Sequence, residues 1–213
     1  MPSVYQLKPA FQRLLRPTLT RLADLGVTPN HLTVTALVLS GATGAGLAWA
    51  REDRRVLLIL PPFLFVRMAL NAMDGMLARE RGLSSDLGAV LNEMGDVLSD
   101  VFLYLPLALW SEFSAPAMVA ISLGAVLSEF CGLLTKSLGA SRRYDGPMGK
   151  SDRAFVFGAL GLYLGLGGTA GGWLFWVQVA ILALLALTLW RRLSRGLAEL
   201  GQSGGLPSGQ TKP

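Results

Sequence analysis

Six long apolar segments constrain the fold of this chain more than any other feature of its sequence. They lie at about residues 32–50, 56–79, 86–110, 115–138, 153–169 and 172–190. Each is close to the roughly 20 residues that a helix needs to cross a bilayer. Only 15% of the residues are charged, which is too few to cover a water-soluble globule. The sequence therefore predicts an all-α membrane protein with six transmembrane helices.

The N-terminal and C-terminal segments differ from these spans in composition. In residues 1–29, apolar side chains such as Leu15, Leu19 and Leu22 recur at helical spacing between basic residues. This pattern predicts an amphipathic helix that lies on the membrane surface. Residues 30–196 are expected to form the membrane domain. The Gly-, Ser- and Pro-rich end is expected to leave residues 197–213 as a disordered cytoplasmic tail.

The distribution of basic residues predicts the orientation. Loops near residues 79–81, 136–153 and 191–195 carry most of the lysines and arginines, and the opposite loops are nearly balanced. The positive-inside rule then places both termini in the cytoplasm. Anionic lipid accounts for the net charge of +5 better than a nucleic-acid partner does. Size and the lack of a targeting segment favour a bacterial cytoplasmic membrane.

Ionisable and amide side chains interrupt the second and third spans. Because such groups are costly to bury in a bilayer, their presence indicates a function. Asn71 and Asp74 share one face of the second span, and Asn92 and Asp96 are four residues apart on the third. A short link makes the two helices antiparallel neighbours, so these four groups can face each other. Clustered carboxylate and amide oxygens suit a hard cation such as Mg²⁺, the usual partner of a diphosphate substrate.

These residues also form a long gapped motif. The stretch from Asn71 to Arg79 reads N-A-M-D-G-M-L-A-R, and eight residues later come Gly88, Asn92 and Asp96 at intervals of four. It resembles the signature D-x2-D-G-x2-A-R-x8-G-x3-D-x3-D of the CDP-alcohol phosphotransferases, also called CDP-alcohol phosphatidyltransferases. Every spacing agrees. The residues identical to the signature are Asp74, Gly75, Ala78, Arg79, Gly88 and Asp96.

The resemblance implies an integral membrane transferase of phospholipid biosynthesis. Such an enzyme moves a substituted phosphate from a CDP-linked donor, commonly CDP-diacylglycerol, to an alcohol and releases CMP. The family pattern implies two divalent cations, Mg²⁺ or Mn²⁺, on its acidic positions, with the fourth also acting as the base. Carried over, Asp74 is a metal ligand, and Asp96 is both ligand and base. Because relatives dimerise, a homodimer is expected. The expected CDP contacts are Asn30, Thr33, Gly75, Ala78, Arg79 and Ser85.

The chain departs from the pattern at two places. Asn71 and Asn92 stand at the first and third acidic positions, and an amide oxygen ligates Mg²⁺ without offsetting its charge. One alternative is that Glu93 and Asp100, within about 60° of Asp96 on the helical wheel, complete a rearranged metal site. Another is that the site holds one metal or none, in a catalytically silent protein that binds CDP-lipid or lipid headgroups. A small transporter is a further alternative, disfavoured because the acids gather at one leaflet.

A basic cluster follows the fourth span. Its members Arg142, Arg143, Lys150 and Arg153 are expected near the diphosphate, where they suit a phosphorylated acceptor such as glycerol phosphate or inositol phosphate. Similar loops in the family bind such acceptors. The alternative is that these residues only set the topology.

Overall fold

The computed structural model describes residues 4–202, and this range is helical without any strand. Two 3-10 segments, Arg54–Ile59 and Leu105–Leu109, lead into α3 and out of α4. The seven α-helices are α1 (Val4–Asp24), α2 (Pro29–Trp49), α3 (Leu60–Glu80), α4 (Asp86–Tyr104), α5 (Ala115–Ser137), α6 (Lys150–Gly165) and α7 (Gly172–Gln202).

Within the described residues, four helical stretches are long and apolar enough to cross a membrane. They are Pro29–Trp49, Arg54–Glu80, Ala115–Ser137 and Gly172–Gln202. The expected all-α membrane class is therefore confirmed. Helices α4 and α6 fill the places of the other two expected spans. These two helices differ from the four apolar ones, because α4 has three acids in its middle and α6 is only 16 residues long. The count of six transmembrane helices therefore remains a prediction.

Helix α1 ends at a glycine and lies against α3. Gly26 adopts a φ of +80°, and the next amide, that of Val27, donates to the carbonyl of Leu22 at 3.0 Å, which is the Schellman arrangement. The buried side chain of Leu19 packs with Met73 and Leu77 of α3. The amphipathic N-terminal segment is thus a helix whose apolar face packs against α3.

The start of α2 is fixed by a capping box. The Thr28 hydroxyl accepts a hydrogen bond from the amide of His31 at 3.3 Å, and Nδ1 of His31 accepts one from the amide of Thr28. Pro29 occupies the first helical position, where its fixed φ is favourable. This cap holds the first turn of α2, which carries Asn30 and Thr33, in a defined orientation.

Helix α2 packs against both α3 and α4. Its crossing with α4 is so close that a Cβ on Gly44 would collide with the carbonyl oxygen of Phe102. Away from the motif, the bundle has an apolar core in which Trp110 donates from Nε1 to the carbonyl of Leu47 at 3.1 Å. Helices α3 and α4 are thus held on a common neighbour, with their motif residues at one end of the bundle.

Buried charges hold the middle of the bundle together, about one helical turn from the motif residues. Asp100 forms ion pairs with Arg67 and with Arg153, each at 2.6 Å, and Glu129 pairs with Arg153 and Arg192. These contacts connect α3, α4, α5, α6 and α7. Paired arginines account for the acids inside these helices, because a lone buried charge would be costly.

The C-terminal expectation needs a correction. Helix α7 continues to Gln202, so residues 197–202 are helical rather than part of a disordered tail. Leu197, Glu199 and Leu200 are good helix formers, and Glu199 accepts hydrogen bonds from the amide and hydroxyl of Ser141. Residues 203–213, which carry the rest of that prediction, lie outside the described residues.

Candidate active site

A cavity of about 430 Å³ opens where the first turn of α2, the end of α3 and the start of α4 meet. All four of the oxygen-bearing residues predicted to face each other line it. They are Asn71, Asp74, Asn92 and Asp96. A second groove of about 380 Å³, between α3 and α6, is lined by side chains such as Leu64, Phe65 and Phe155 and by no residue of the motif. The polar cavity is therefore the candidate site.

Asp74 is held by the first turn of α2. The Thr33 hydroxyl donates to Oδ2 of Asp74 at 2.9 Å and lies 3.2 Å from the carbonyl oxygen of Pro29. Asp74 is only 5% exposed, at a wall of the cavity. One carboxylate oxygen is thus oriented by Thr33, and the carboxylate reaches the cavity in a fixed position.

Asp96 has a partner on each carboxylate oxygen. The Asn71 amide donates to Oδ1 at 2.9 Å, and the ammonium of Lys150 donates to Oδ2 at 2.6 Å. Arg67 donates to the main-chain carbonyl of Asp96 at 3.1 Å. The side chain therefore bridges α3 and the start of α6, and its position is determined by three other residues.

The expected CDP contacts form another wall of the same cavity. The amide of Gly88 donates to the hydroxyl of Ser85 at 3.0 Å. A Cβ on Gly88 would lie 3.0 Å from Oδ1 of Asn30, so only glycine leaves Asn30 undisturbed. Arg79 folds back over Gly75, with Nη1 3.2 Å from where a Cβ of Gly75 would be. Ala78 also lines the cavity.

The donor set fits a hard divalent cation. Two carboxylate and two amide side chains line the cavity, and Mg²⁺ or Mn²⁺ commonly takes one or two carboxylates and completes its shell with water and substrate phosphate. No group of three or more His, Cys, Asp or Glu side chains in the described part of the chain is arranged to hold a metal. A softer metal that needs thiolate or imidazole ligands is therefore not supported by these residues.

The structure corrects the expectation that Glu93 and Asp100 complete the metal site. Glu93 pairs with Arg142 at 2.7 Å and Asp100 pairs with Arg67 and Arg153, and neither lines the cavity. The helical wheel ignores depth along the axis. Asp100 lies about 6 Å beyond Asp96 along α4, and Glu93 is turned toward α5.

Of the four expected acceptor-binding residues, only Lys150 lines the cavity. Arg142 pairs with Glu93 and Glu129, Arg143 pairs with Glu199, and Arg153 is fully buried against Asp100. Burial by itself would lower the pKa of Arg142, but its hydrogen bonds and the charges of its two acidic partners outweigh this and raise it. These three arginines are therefore structural in this conformation, which corrects their expected location at the acceptor.

Sequence reasoning missed Tyr144 and did not predict which side chain Lys150 contacts. Tyr144 lines the cavity from the loop before α6, and the guanidinium of Arg142 lies 5.0 Å from its ring centroid. Lys150 was noticed only as part of a basic cluster, not as the partner of Asp96. Lys150 and Asp96 are 54 positions apart in the sequence, so no local pattern links them.

Comparison with known proteins gives the same assignment as the motif. The family model described as CDP-alcohol phosphatidyltransferase matches residues 26–191. The chain is 45% identical over 193 residues to the inner membrane protein YnbA of Escherichia coli, covering 91% of this chain and 94% of that protein. It is 29% identical over 209 residues to phosphatidylinositol phosphate synthase of Corynebacterium glutamicum, covering 95% and 90%.

Solved structures share the fold. Phosphatidylinositol phosphate synthase (PgsA1) of Mycobacterium tuberculosis, crystallised with manganese and citrate, superimposes with a TM-score of 0.70 at 20% identity, covering 91% of this chain and 93% of that one. The same protein with CDP-DAG bound gives a TM-score of 0.64 at 19% identity, covering 94% and 99%. The motif residues gathered in one cavity and the family match over residues 26–191 lead to one assignment. The chain belongs to the CDP-alcohol phosphatidyltransferase family of membrane enzymes.

Proposed function

We propose that this protein transfers a phosphatidyl group from CDP-diacylglycerol to a polar alcohol and releases CMP. The observation that carries the proposal is the shared cavity. Asp74, Arg79 and Asp96, from two helices joined by a short link, line it together. Support comes also from a structural relative at 19% identity, whose crystal structure contains CDP-DAG. Residues 30–196 are proposed to form the catalytic membrane domain.

In the proposed reaction, Asp96 is the base. The acceptor hydroxyl donates to a remaining lone pair of the Asp96 carboxylate, which has about four acceptor positions. As the hydroxyl oxygen forms its bond to the phosphatidyl phosphorus, its proton passes to Asp96. The bond between that phosphorus and the bridging diphosphate oxygen breaks, and CMP leaves with the electron pair. Asn71 and Lys150 hold the carboxylate in place during this step.

The wall formed by the first turn of α2, the end of α3 and the start of α4 is proposed to bind the CDP moiety. Gly75 and Gly88 allow the nucleotide to approach the backbone, and Arg79 supplies a planar cation for a phosphate. Asn30, Thr33 and Ser85 offer polar groups at the same wall. A bound Mg²⁺ or Mn²⁺, held by Asp74 with Asn71 and Asn92, would offset the charge on the diphosphate.

The proposed acceptor is an alcohol that carries a phosphate or another anionic group. Lys150 lies at the cavity beside the proposed base, where a cation favours an anionic acceptor. The name of the relative from Corynebacterium glutamicum indicates that a phosphoinositol lipid is its product. Inositol phosphate and glycerol phosphate are therefore the first acceptors to test.

We further propose six spans, cytoplasmic termini and a cavity that faces the cytoplasm of a bacterium, in a homodimer. The end of α3, the starts of α2, α4 and α6, and the C-terminal part of α7 lie on the same side of the bundle as the basic loops. A relative 45% identical to this chain is an inner membrane protein. The position of the basic loops supports the cytoplasmic orientation through the positive-inside rule, and the relative supports the bacterial membrane location.

The test is CMP release by the purified protein with CDP-diacylglycerol, Mn²⁺ or Mg²⁺ and a panel of alcohols. We expect release with at least one anionic acceptor and a loss of 100-fold or more, on the order of a lost general base, in Asp96→Asn. The matched control is Asp86→Asn, an exposed carboxylate in the first turn of the same helix, which should keep full activity. Intact CDP-lipid binding without CMP release for any acceptor would instead identify a silent binding protein.

A further inference from the structure

Resting on the proposed function, we infer that the ammonium group of Lys150 is the resident cation at Asp96. The cavity then takes one divalent cation, at Asp74, where the family pattern implies two. The observation behind this is the direct pairing of Lys150 Nζ with Asp96 Oδ2 at 2.6 Å. With Lys150 as the cation at Asp96, the site needs less negative charge. This agrees with the presence of Asn71 and Asn92 where the family signature has aspartates.

Both oxygens of the Asp96 carboxylate are occupied. Lys150 contacts one oxygen and the Asn71 amide nitrogen contacts the other. Asn71 presents its NH₂ group to Asp96. Its amide oxygen, the atom that could ligate a metal ion, therefore cannot occupy the same place beside this carboxylate. A second divalent cation between Asn71 and Asp96 would have to displace both hydrogen bonds.

The cavity also carries little negative charge. Asp74 and Asp96 are the carboxylates among the cavity-lining residues. Lys150 offsets Asp96, which leaves Asp74 with the amide oxygens of Asn92 and Asn71 for a metal. One carboxylate with neutral oxygens and substrate phosphate is an ordinary Mg²⁺ or Mn²⁺ set. Two dications close together would need more negative charge than these side chains supply.

The position of Lys150 in its helix also favours the pairing with Asp96. It is the first residue of α6, where the helix dipole disfavours a cation. The same turn carries a regular cap, since the amide of Gly149 donates to Oδ2 of Asp152 at 2.9 Å. The cap fixes where α6 begins, and the pairing with Asp96 offsets the unfavourable placement of Lys150.

The experiment counts bound Mn²⁺ by electron paramagnetic resonance during titration of the purified protein in detergent, with Mn²⁺ alone as the probe. We expect one Mn²⁺ per chain for the wild type. Lys150→Met should bind the first Mn²⁺ on the order of tenfold more tightly, since a nearby positive charge is gone. Lys150→Met combined with Asn71→Asp and Asn92→Asp should bind two, with the spectral broadening of a close spin pair.

Two controls separate charge from damage to the fold. Lys150→Arg keeps the cation and should bind one Mn²⁺ with wild-type affinity, and Lys136→Met removes an exposed lysine away from the cavity and should change nothing. Two Mn²⁺ or none in the wild type, or equal affinities in Lys150→Met and Lys136→Met, would overturn the inference. One Mn²⁺ without any CMP release supports the inference and contradicts the proposed function. Two Mn²⁺ together with CMP release would contradict the inference and support the proposed function.

Discussion

The guanidinium group of Arg153 lies 2.6 Å from the carboxylate of Asp100, and both side chains are buried at the centre of the bundle. Asp100 also holds Arg67, whose other nitrogen donates to the main chain of Asp96. A chain of contacts therefore runs from the buried charges of α6 to the proposed base. We therefore expect the geometry of the cavity to depend on this buried pair.

Removing the Asp100 charge is expected to destabilise the protein. Asp100→Asn leaves the buried Arg67 without its carboxylate and Arg153 with Glu129 alone, and losing one partner of a buried pair costs about 3–5 kcal/mol. The free energy of unfolding, measured by denaturant titration in mixed micelles, should fall by that amount. Asp86→Asn, on the exposed first turn of α4, should stay within about 0.5 kcal/mol of the wild type. Equal stability of the two variants would show that the pair is not a structural support.

The close crossing of α2 and α4 can be tested by comparing Gly44 with Gly46 on α2. Gly44→Ala forces a methyl group against the carbonyl of Phe102, whereas a Cβ on Gly46 meets nothing within 4 Å. We expect Gly44→Ala to lower the free energy of unfolding by about 1–3 kcal/mol. Gly46→Ala should be neutral or raise it by about 0.5–1 kcal/mol, because alanine favours the helix. A thermal melt of both variants in the same detergent decides the matter; equal melting temperatures would refute the close crossing.

Arg79 is expected to act on donor binding. Arg79→Met removes the cation that folds over Gly75 at the cavity, so KM for CDP-diacylglycerol should rise roughly tenfold or more, as for a lost charged hydrogen bond. Arg81→Met removes an arginine two residues away that makes an exposed ion pair with Asp24 and should leave KM unchanged. Steady-state kinetics at saturating acceptor give both values. A rise in KM of the same size in both variants would mean that only surface charge matters.

Thr33 is expected to tune metal use through Asp74. Thr33→Val keeps the shape of the side chain and removes the hydroxyl that orients Oδ2 of Asp74. Losses of such supporting hydrogen bonds weaken metal affinity by roughly 10–100-fold, so the Mn²⁺ concentration for half-maximal CMP release should increase by that factor. Thr43→Val, about 15 Å further along α2, is the control. An unchanged Mn²⁺ requirement in Thr33→Val would remove Asp74 from the proposed metal site.

Much of the cavity could be predicted from sequence because its main residues are local. Asn71 and Asp74 are one helical turn apart, as are Asn92 and Asp96, and a short link makes the two helices adjacent in space. Helical periodicity and chain connectivity are then enough to bring the four side chains to one place. The structure bears this out, since all four line the same cavity.

The partners of the buried charges could not be predicted in the same way. Arg153 forms an ion pair with Asp100 instead of lining the cavity, and Arg142 forms ion pairs with Glu93 and Glu129. These pairings depend on how deep each residue lies along its helix and on how α5, α6 and α7 pack, neither of which the helical wheel contains. Lys150 reaches Asp96 because the loop before α6 returns the chain to the cavity, a long-range result with no local pattern.

The most direct test of the central claim is a mass balance on CDP-diacylglycerol. Mass spectrometry of the lipid and nucleotide products should show one new phosphodiester lipid for each CMP formed, only when both Mn²⁺ or Mg²⁺ and an acceptor alcohol are present. The diacylglycerol phosphate should be retained in the new lipid, and Asp96→Asn should abolish both products together. Consumption of CDP-diacylglycerol to phosphatidic acid and CMP at a rate independent of the alcohol, or no consumption while the lipid stays bound, would contradict the account.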